Sequence, residues 1–428
     1  MKTNQNQNRF LLDTNITFLN HGSFGACPKP VFENYQEWQI KLERQPVKFL
    51  TKDLYKGLKK SRESVSNLIG CRHDEVVFFQ NPTSAVTNVI HNLKLKEGDE
   101  VLMTDHEYGA LIRSWSEWGK KNNIKIKQHE ISLPLISEDQ FVNQFLKSIT
   151  KKTRVVFISE ITSATGLIFP IHQIINFARK KGIITIVDGA HVPGHIDINV
   201  QKLKCDFYTG AVHKWLCGAK GSSFLFVRKE MQKSMNPVIY SWGKDGDDPE
   251  TSLFLQDFQW QGTRDMSAFL SIPFTIEYFK KNILESREEC RVISFYAYQQ
   301  FKEIFNTEPL FHNSAWIGQM VSYPLPNNIN KDIKSILMDK YRIEIPVFTW
   351  KNRLFIRISI QIYNDKKDRL NALKCYKKAL EIKPDADFLL GDILNAKMNM
   401  CQWENLQGLI DDLKARLANN EKVISPFS

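Results

Sequence analysis

Cysteine is scarce in this chain and follows no paired spacing. The 428 residues include seven cysteines, which are odd in number, lie far apart and form no Cys-x-x-Cys pair. A disulfide framework or a zinc ribbon depends on such pairs, so the sequence disfavours both. The pattern is typical of a reducing compartment, and we expect a cytoplasmic protein.

Long apolar runs are also missing. No run approaches the roughly 18 residues that a membrane-spanning helix needs. The polar start, MKTNQNQNRF, leads into only a short apolar patch, which is not the pattern of a secretory signal peptide. We therefore expect neither membrane insertion nor export.

Two nucleotide-binding fingerprints are absent or incomplete. No Gly-x-Gly-x-x-Gly segment occurs. The segment GAKGSS at 218–223 is similar to a phosphate-binding loop, but it lacks the Walker spacing and precedes a predicted strand instead of a helix.

His191 and His195 have the i, i+4 spacing of metal ligands, but Pro193 and Gly194 break the helix that this spacing requires. We expect no metal site.

Positive charge is in excess but is spread along the chain. Lysine and arginine number 58 against 47 acidic residues, a net charge of +11. The lysines occur in scattered pairs with acids between them, whereas nucleic-acid-binding surfaces more often cluster arginines among aromatics. The charge therefore favours a solvated, anion-tolerant surface over nucleic-acid binding.

Short apolar strands alternate with helices through the middle of the chain. Strands are predicted at 76–79, 100–103, 124–126, 155–158, 183–187, 207–209 and 224–227. This alternation is typical of an α/β domain with a large, mostly parallel sheet. Four segments are predicted: an N-terminal arm and helix (1–50), the large domain (51–270), a smaller α+β domain (271–365) and a short helical tail (366–428).

Polar residues follow five of these strands. They are Thr83 and Ser84, His106 and Tyr108, Thr162 and Ser163, Asp188 and His191, and His213 and Lys214. Because ligands bind beyond the carboxyl ends of parallel strands, the five loops are expected to form one site.

The residue types in these loops point to pyridoxal 5′-phosphate. A lysine kept partly neutral by desolvation, such as Lys214, can form a Schiff base. A carboxylate such as Asp188 can hold a pyridine nitrogen protonated, so that the ring accepts electrons. The start of a helix, with Thr83 and Ser84, favours a phosphate.

The ordered set of motifs resembles the class V aminotransferases of fold type I, and within them the isopenicillin N epimerase-like group. The resemblance is carried by LNHGSFG (19–25), NPTSAVTNVI (81–90), TDHEYGAL (104–111), TSATGLIFPI (162–171), VDGAHVPG (187–194), DFYTGAVHKWL (206–216), GTRD (262–265) and RISIQIYN (357–364). It implies a homodimer with shared active sites.

The resemblance also implies roles for individual residues. Lys214 would carry the cofactor, Asp188 would pair with its ring nitrogen, and His191 would lie near the ring oxygen. Four residues of the same subunit would hold the phosphate: Thr83, Ser84, Thr209 and His213. Thr263 would reach the phosphate of the neighbouring subunit, Tyr108 or His106 would stack on the ring, and Ser163 would lie beside the ring oxygen. Arg357 would bind the substrate α-carboxylate. The substrate pocket would be lined by His21, Ser23 and Arg264.

The implied activity is that of a pyridoxal-phosphate-dependent enzyme acting on an amino acid or a derivative of one, through a Schiff base and α-proton abstraction. Epimerisation is favoured, with C–S lyase, cysteine desulfurase-like and aminotransferase activities as alternatives. Cysteine desulfurases need a nucleophilic cysteine shortly before the carboxylate-binding arginine. No cysteine occurs between Trp316 and Arg357, which disfavours that alternative.

The tail differs in character from the rest of the chain. ALKCYKKALEIKPD (372–385) resembles the second helix of a tetratricopeptide repeat, and the following stretch resembles the linker to the catalytic domain in O-linked N-acetylglucosamine transferases. Because a solenoid needs about three repeats, we expect a fusion remnant, with a protein-docking module as the alternative. An interaction protein on an inactive enzyme fold is the non-enzyme alternative, but it predicts loss of Lys214 or Asp188, and both are present.

Overall fold

The computed structural model describes residues 6–244, 252–329, 332–364 and 406–418. Its strands are β1 (Thr17–Phe18), β2 (Val76–Phe79), β3 (Glu100–Thr104), β4 (Lys125–His129), β5 (Thr153–Ser159), β6 (Ile184–Gly189), β7 (Phe207–Ala211), β8 (Ser223–Val227), β9 (Met320–Pro324), β10 (Ile343–Glu344), β11 (Val347–Trp350) and β12 (Arg353–Ser359). Its α-helices are α1 (His21–Phe24), α2 (Lys29–Arg44), α3 (Pro46–Lys48), α4 (Leu54–Ile69), α5 (Pro82–Asn92), α6 (Gly109–Asn122), α7 (Glu138–Lys147), α8 (Ile171–Lys180), α9 (Val200–Leu203), α10 (Lys229–Gln232), α11 (Leu253–Gln259), α12 (Ser267–Leu270), α13 (Ile272–Asn282), α14 (Arg287–Phe305), α15 (Ile333–Tyr341) and α16 (Leu406–Ala418).

Seven strands form the central sheet, in the order β2-β8-β7-β6-β5-β3-β4. The run from β7 to β4 is parallel, whereas β8 is antiparallel to both of its neighbours. Successive residues of one strand enter different cores: Val76 and Phe78 pack in one, Val77 and Phe79 in the other. This alternation shows that both faces are covered, as buried parallel sheets require. The expected α/β fold with a mostly parallel sheet is confirmed.

A second, smaller sheet has the order β11-β12-β9 and is antiparallel throughout. The long helix α14 packs against β9. In the register of this sheet, Arg357 of β12 lies opposite Ser322 of β9. The sheet therefore presents a buried arginine from the smaller domain.

The N-terminal arm connects this smaller domain to the large one. Strand β1 pairs in parallel with β10, and the Ser359 N–H donates to the Leu19 carbonyl at 2.9 Å. Gly25 follows with φ +70°, and a Cβ there would lie 2.1 Å from the carbonyl oxygen of His213. Only glycine permits so close an approach of the arm to the loop that carries Lys214.

Most of the tail is outside the described residues, and this includes the tetratricopeptide-like segment at 372–385. Of the tail, the structure describes helix α16 alone. None of the described helices combines the length and the hydropathy needed to cross a bilayer.

Candidate active site

A cavity of about 630 Å³ lies where the loops after β2, β3, β5, β6 and β7 meet. The parallel strands that end there bring distant parts of the chain to one edge of the sheet. The predicted site residues that line this cavity are Ser23, Thr83, Ser84, Tyr108, Ser163, Asp188, His191, His213 and Lys214.

The amine of Lys214 is buried beside an imidazole. Its Nζ lies 3.0 Å from His191 Nε2, and the Trp215 indole N–H donates to His191 Nδ1 at 3.3 Å. Burial holds the pKa of His191 well below its usual range, so this ring is neutral. Because Trp215 can only donate, Nδ1 accepts and the single ring proton is on Nε2, which faces the lysine.

This arrangement favours an uncharged lysine. With the ring proton on His191 Nε2, the Nζ of Lys214 can accept this hydrogen bond only in its neutral form, which has a free lone pair. Burial likewise lowers the pKa of Lys214 to about 8, although the negative charge of Asp188 opposes the shift. The site therefore holds an amine that is partly deprotonated near neutral pH, as a nucleophile or a base requires.

Asp188 is fixed at the end of β6. Its register partners are Ser159 of β5 and Thr209 of β7, and its Oδ1 accepts from the Ala190 N–H at 2.9 Å. Burial raises the pKa of this carboxyl, whereas the Ala190 hydrogen bond and the charge of Lys214 lower it. Among the cavity-lining residues that the structure describes, Asp188 is the one carboxylate.

Helix α5 points its N-terminus at the cavity. Pro82 occupies its first turn, and the Asn81 side-chain oxygen accepts from both the N–H (2.9 Å) and the hydroxyl (3.1 Å) of Ser84. This is an N-cap with proline at the start, the local sequence pattern that begins helices. The cap engages Ser84, whereas Thr83 also lines the cavity.

His213 lies beside this helix start. Its Nδ1–H donates to the Ser222 carbonyl at 2.9 Å. Burial lowers the pKa of His213 to about 4, and the nearby charges of Lys214 and Lys220 add to the effect. The neutral ring therefore directs an unprotonated Nε2 away from Ser222.

Thr209 does not line the cavity. Strand β7 continues to Ala211, two residues beyond the predicted strand end, so Thr209 lies inside the sheet. Its hydroxyl donates to the Phe224 carbonyl at 2.9 Å.

His106 and Tyr108 have different environments. His106 is fully buried, with Nδ1 2.7 Å from Asp105 Oδ1 and its ring 4.5 Å from that of Trp350. Tyr108 is 46% exposed and lines the cavity. Of the two candidates for stacking on a ring, only Tyr108 therefore faces the cavity.

Arg357 reaches the site from the smaller domain. Its Nη1 donates to the Ser163 carbonyl at 2.5 Å and its Nη2 to Ser23 Oγ at 2.8 Å, and both partners line the cavity. The Nε atom is buried without a partner. Burial lowers the pKa of Arg357 to about 10, which still leaves a buried cation at neutral pH. A buried cation with an unpaired donor favours an anionic ligand.

Three other predicted residues lie away from the cavity. His21 is buried, with Nδ1 2.7 Å from the Tyr363 hydroxyl and Nε2 3.0 Å from the Lys214 carbonyl oxygen. It therefore holds the backbone of the lysine loop. Thr263 is exposed, and the Arg264 guanidinium lies 5.0 Å from the Phe269 ring centre.

A buried carboxyl beneath the cavity, that of Glu107, is not among the residues predicted from the sequence. Glu107 accepts from Ser159 Oγ at 2.5 Å and from Thr104 Oγ1 at 2.6 Å, and Ser159 lines the cavity. Burial raises the pKa of Glu107 to about 7. The available signal was its place between His106 and Tyr108, directly after a predicted strand. Gln80, Asn81, Lys220 and Gly221 were missed as well.

No group of three or more His, Cys, Asp or Glu side chains in the described parts of the chain could hold a metal ion. At His195, Nδ1 lies 3.1 Å from the His191 carbonyl oxygen and Nε2 accepts from the Gln319 N–H at 2.6 Å. Both ring nitrogens therefore have protein partners.

Comparison with known proteins matches residues 25–369 to the family model for aminotransferase class V. The isopenicillin N epimerase of Amycolatopsis lactamdurans is 30% identical over 369 residues, which cover 82% of this chain and 92% of that protein. A probable chloroplastic L-cysteine desulfhydrase of Arabidopsis thaliana is 26% identical, with 83% and 81% covered.

Solved structures match the fold. A cysteine desulfurase from Thermococcus onnurineus NA1, in its apo form, superposes with a TM-score of 0.76 at 20% identity, covering 90% of this chain and 99% of that one. The cystine C–S lyase C-DES, in complex with its product cysteine persulfide, gives 0.74 at 17%, covering 86% and 98%. These likenesses confirm the expected fold type.

Proposed function

Because the chain belongs to the class V aminotransferase family, whose members use pyridoxal 5′-phosphate, we propose that the cavity binds this cofactor together with an amino-acid substrate. The protein is a pyridoxal-phosphate-dependent enzyme of that family. The observation that carries the proposal is the meeting of Lys214, Asp188 and the N-terminus of α5 in one cavity.

The chemistry of the lining residues fits the cofactor. The partly deprotonated amine of Lys214 suits the aldehyde, and a buried carboxylate on Asp188 suits a protonated ring nitrogen. Thr83, at the start of a helix, suits a phosphate. The aromatic ring of Tyr108 suits stacking on a pyridine ring.

When bound, the cofactor supplies an aldehyde that condenses with amines and a ring that withdraws electrons from the substrate α-carbon. Asp188 would hold the ring nitrogen of the bound cofactor protonated. The Nζ of Lys214 would accept the α-proton, and the His191 Nε2–H beside it would orient that amine. Arg357 binds the substrate α-carboxylate with its guanidinium, since its Nε has no partner of its own.

We propose inversion at the α-carbon as the activity, because the motifs resemble the epimerase-like group and because two relatives bear the name isopenicillin N epimerase. Elimination of a β-substituent is the second candidate, favoured by the relatives named L-cysteine desulfhydrase. The absence of cysteine between Trp316 and Arg357 argues against a desulfurase that forms a persulfide on the protein.

We also propose a cytoplasmic homodimer in which Thr263 reaches the partner's cofactor phosphate. Thr263 is exposed and lies away from the cavity of its own subunit. The proposed dimer would bury apolar side chains such as Trp242 and Leu253, which are 84% and 75% exposed in the single chain. Mixing Lys214→Ala and Thr263→Ala subunits tests sharing. Hybrids should contain one site without either change, and activity that is merely the sum of the parents would refute it.

The decisive experiment incubates the reconstituted protein with a panel of amino acids in deuterated water. Inversion predicts α-deuteration and loss of optical purity without keto acid, whereas elimination from cysteine predicts pyruvate, ammonia and sulfide. Transamination predicts a keto acid with conversion of the cofactor to its amine form. Protein that shows no visible absorbance from lysine-bound cofactor, or keeps it after Lys214→Ala, would refute the proposal.

A further inference from the structure

The turn between β7 and β8 contains a lysine that has no role in the chemistry above. Residues 218–222 read GAKGS, and Lys220 and Gly221 line the cavity. Strands β2 and β8 pair antiparallel up to the pair Phe79 and Ser223. Beyond that pair, the turn faces the segment that begins helix α5.

The cavity lining contains both sides of this junction. Gln80, Asn81 and Thr83 line it from the side of α5, and Lys220 lines it from the turn. His213 lines the cavity as well, and its ring bonds to the carbonyl of Ser222 at the end of the turn that contains Lys220. Lys220 therefore lies at the same corner as the residues expected to hold the cofactor phosphate.

Lys220 brings an exposed positive charge to this corner, where it is free to bind an anion. It forms no ion pair with any acid in the described ranges, and the neighbours that influence it electrostatically are the thiols of Cys27 and Cys217. Asp188, the cavity's carboxylate, faces Lys214. A cation in such a position favours a bound anion.

The other phosphate candidates offer few free donors. The Thr209 hydroxyl already donates to the Phe224 carbonyl, and the hydroxyl and N–H of Ser84 already donate to the Asn81 side-chain oxygen. His213 donates its one ring proton to the Ser222 carbonyl. A charged donor strengthens the binding of a phosphate dianion, and Lys220 lines the cavity beside these residues, whereas Lys214 pairs with His191.

We propose that Lys220 is the principal charged ligand of the cofactor's 5′-phosphate. This inference rests on the proposed binding of pyridoxal 5′-phosphate in the cavity. It gives the GAKGS turn a phosphate-binding role that depends on its lysine and its position beside α5, and not on a Walker-type loop.

The test compares two ligands that differ only in the phosphate. Dissociation constants of pyridoxal 5′-phosphate and of pyridoxal are measured on cofactor-free protein from the visible absorbance of the Lys214 adduct. Lys220→Met should weaken pyridoxal 5′-phosphate by about 10- to 100-fold, the range of a charge-assisted hydrogen bond, and leave pyridoxal unchanged. Lys220→Arg should retain most of the affinity. Lys233→Met, at an exposed lysine outside the cavity lining, is the matched control.

A second readout uses inorganic phosphate as a competing ligand. Inorganic phosphate should compete with pyridoxal 5′-phosphate in the wild type and compete far less in Lys220→Met. Lys220→Gln, which keeps a polar side chain, is a second uncharged variant that replaces Lys220→Met if the latter does not fold. The thermal unfolding temperature of each cofactor-free variant is compared with that of the wild type.

Three results would overturn the inference. They are equal losses for the two ligands, no loss for either, and a change confined to the substrate KM, which would assign Lys220 to the substrate. Failure of the proposed function differs from these, because wild-type protein would then form no adduct with pyridoxal 5′-phosphate, and this inference would fall with it.

Discussion

The amine of Lys214 should be far more reactive than that of an ordinary lysine, even without cofactor. Burial lowers its pKa from 10.5 to about 8. At pH 7 the neutral fraction is then about 9%, against about 0.03% for a pKa of 10.5, an increase of about 300-fold. Because only the neutral amine attacks, the rate of acylation at equal access to the reagent should rise, by less than this factor because a less basic amine is also a weaker nucleophile.

Trace labelling with acetic anhydride measures this directly. Cofactor-free protein is labelled across a series of pH values, and modification of each lysine is quantified by peptide mapping. Lys233, an exposed lysine, serves as the internal standard for reagent concentration. Labelling of Lys214 should rise with a midpoint near pH 8.

Two substitutions fix the sign of the effect. The negative charge of Asp188 raises the pKa of Lys214, and the positive charge of Arg357 lowers it. Asp188→Asn should therefore move the labelling midpoint to lower pH, and Arg357→Met should move it to higher pH. A wild-type midpoint near 10.5, or movement of both variants in the same direction, would refute the electrostatic argument.

Three further predictions concern other parts of the molecule. Burial raises the pKa of Glu160 from 4.5 to about 7, so the native state binds a proton that the unfolded state releases, and stability from this group is lost as pH rises through that range. The Glu160→Gln side chain can still accept from the Tyr208 hydroxyl. Its free energy of unfolding in urea, relative to that of the wild type, should therefore rise by about 3 kcal/mol between pH 4 and pH 8. A difference that stays constant over this range would contradict the prediction. Arg357→Ala should raise the substrate KM at least about tenfold while the dissociation constant of the cofactor stays the same, and equal losses would remove Arg357 from the substrate site. Tyr108→Ala should weaken cofactor binding by about 2- to 12-fold and Tyr108→Phe should not, as absorbance titration would show; equal losses would implicate the hydroxyl instead of stacking.

The sequence allowed prediction of the residues at strand ends but not of strand length. Asp188 and Lys214 follow buried apolar runs, and parallel strands bring their carboxyl ends to one edge whatever their exact bounds. Thr209 shows the limit of this reasoning. The small residues Gly210 and Ala211 extend β7 by two positions, because backbone pairing with β8 does not depend on their side chains.

The orientation of His106 was also beyond sequence reasoning. Its side chain lies in the core, where its ring packs against that of Trp350 and its Nδ1 lies 2.7 Å from Asp105 Oδ1. Trp350 belongs to the smaller domain, so this contact depends on how the two domains pack. A pattern of neighbouring residues carries no information about such a contact, and the sequence therefore left Tyr108 and His106 as equal candidates.

The site combines two structural parts that respond differently to change. Asp188 lies at the end of β6 and Lys214 lies in the loop after β7, so the strands of one buried sheet place both residues. Arg357 is held by Ser23 of the arm and by the Ser163 carbonyl, so its position depends on the packing of the smaller domain. Substitutions that loosen this packing should therefore impair recognition of the substrate carboxylate before they impair the cofactor site. This asymmetry is why a selective effect on KM, and not a general loss of function, is the informative result for Arg357.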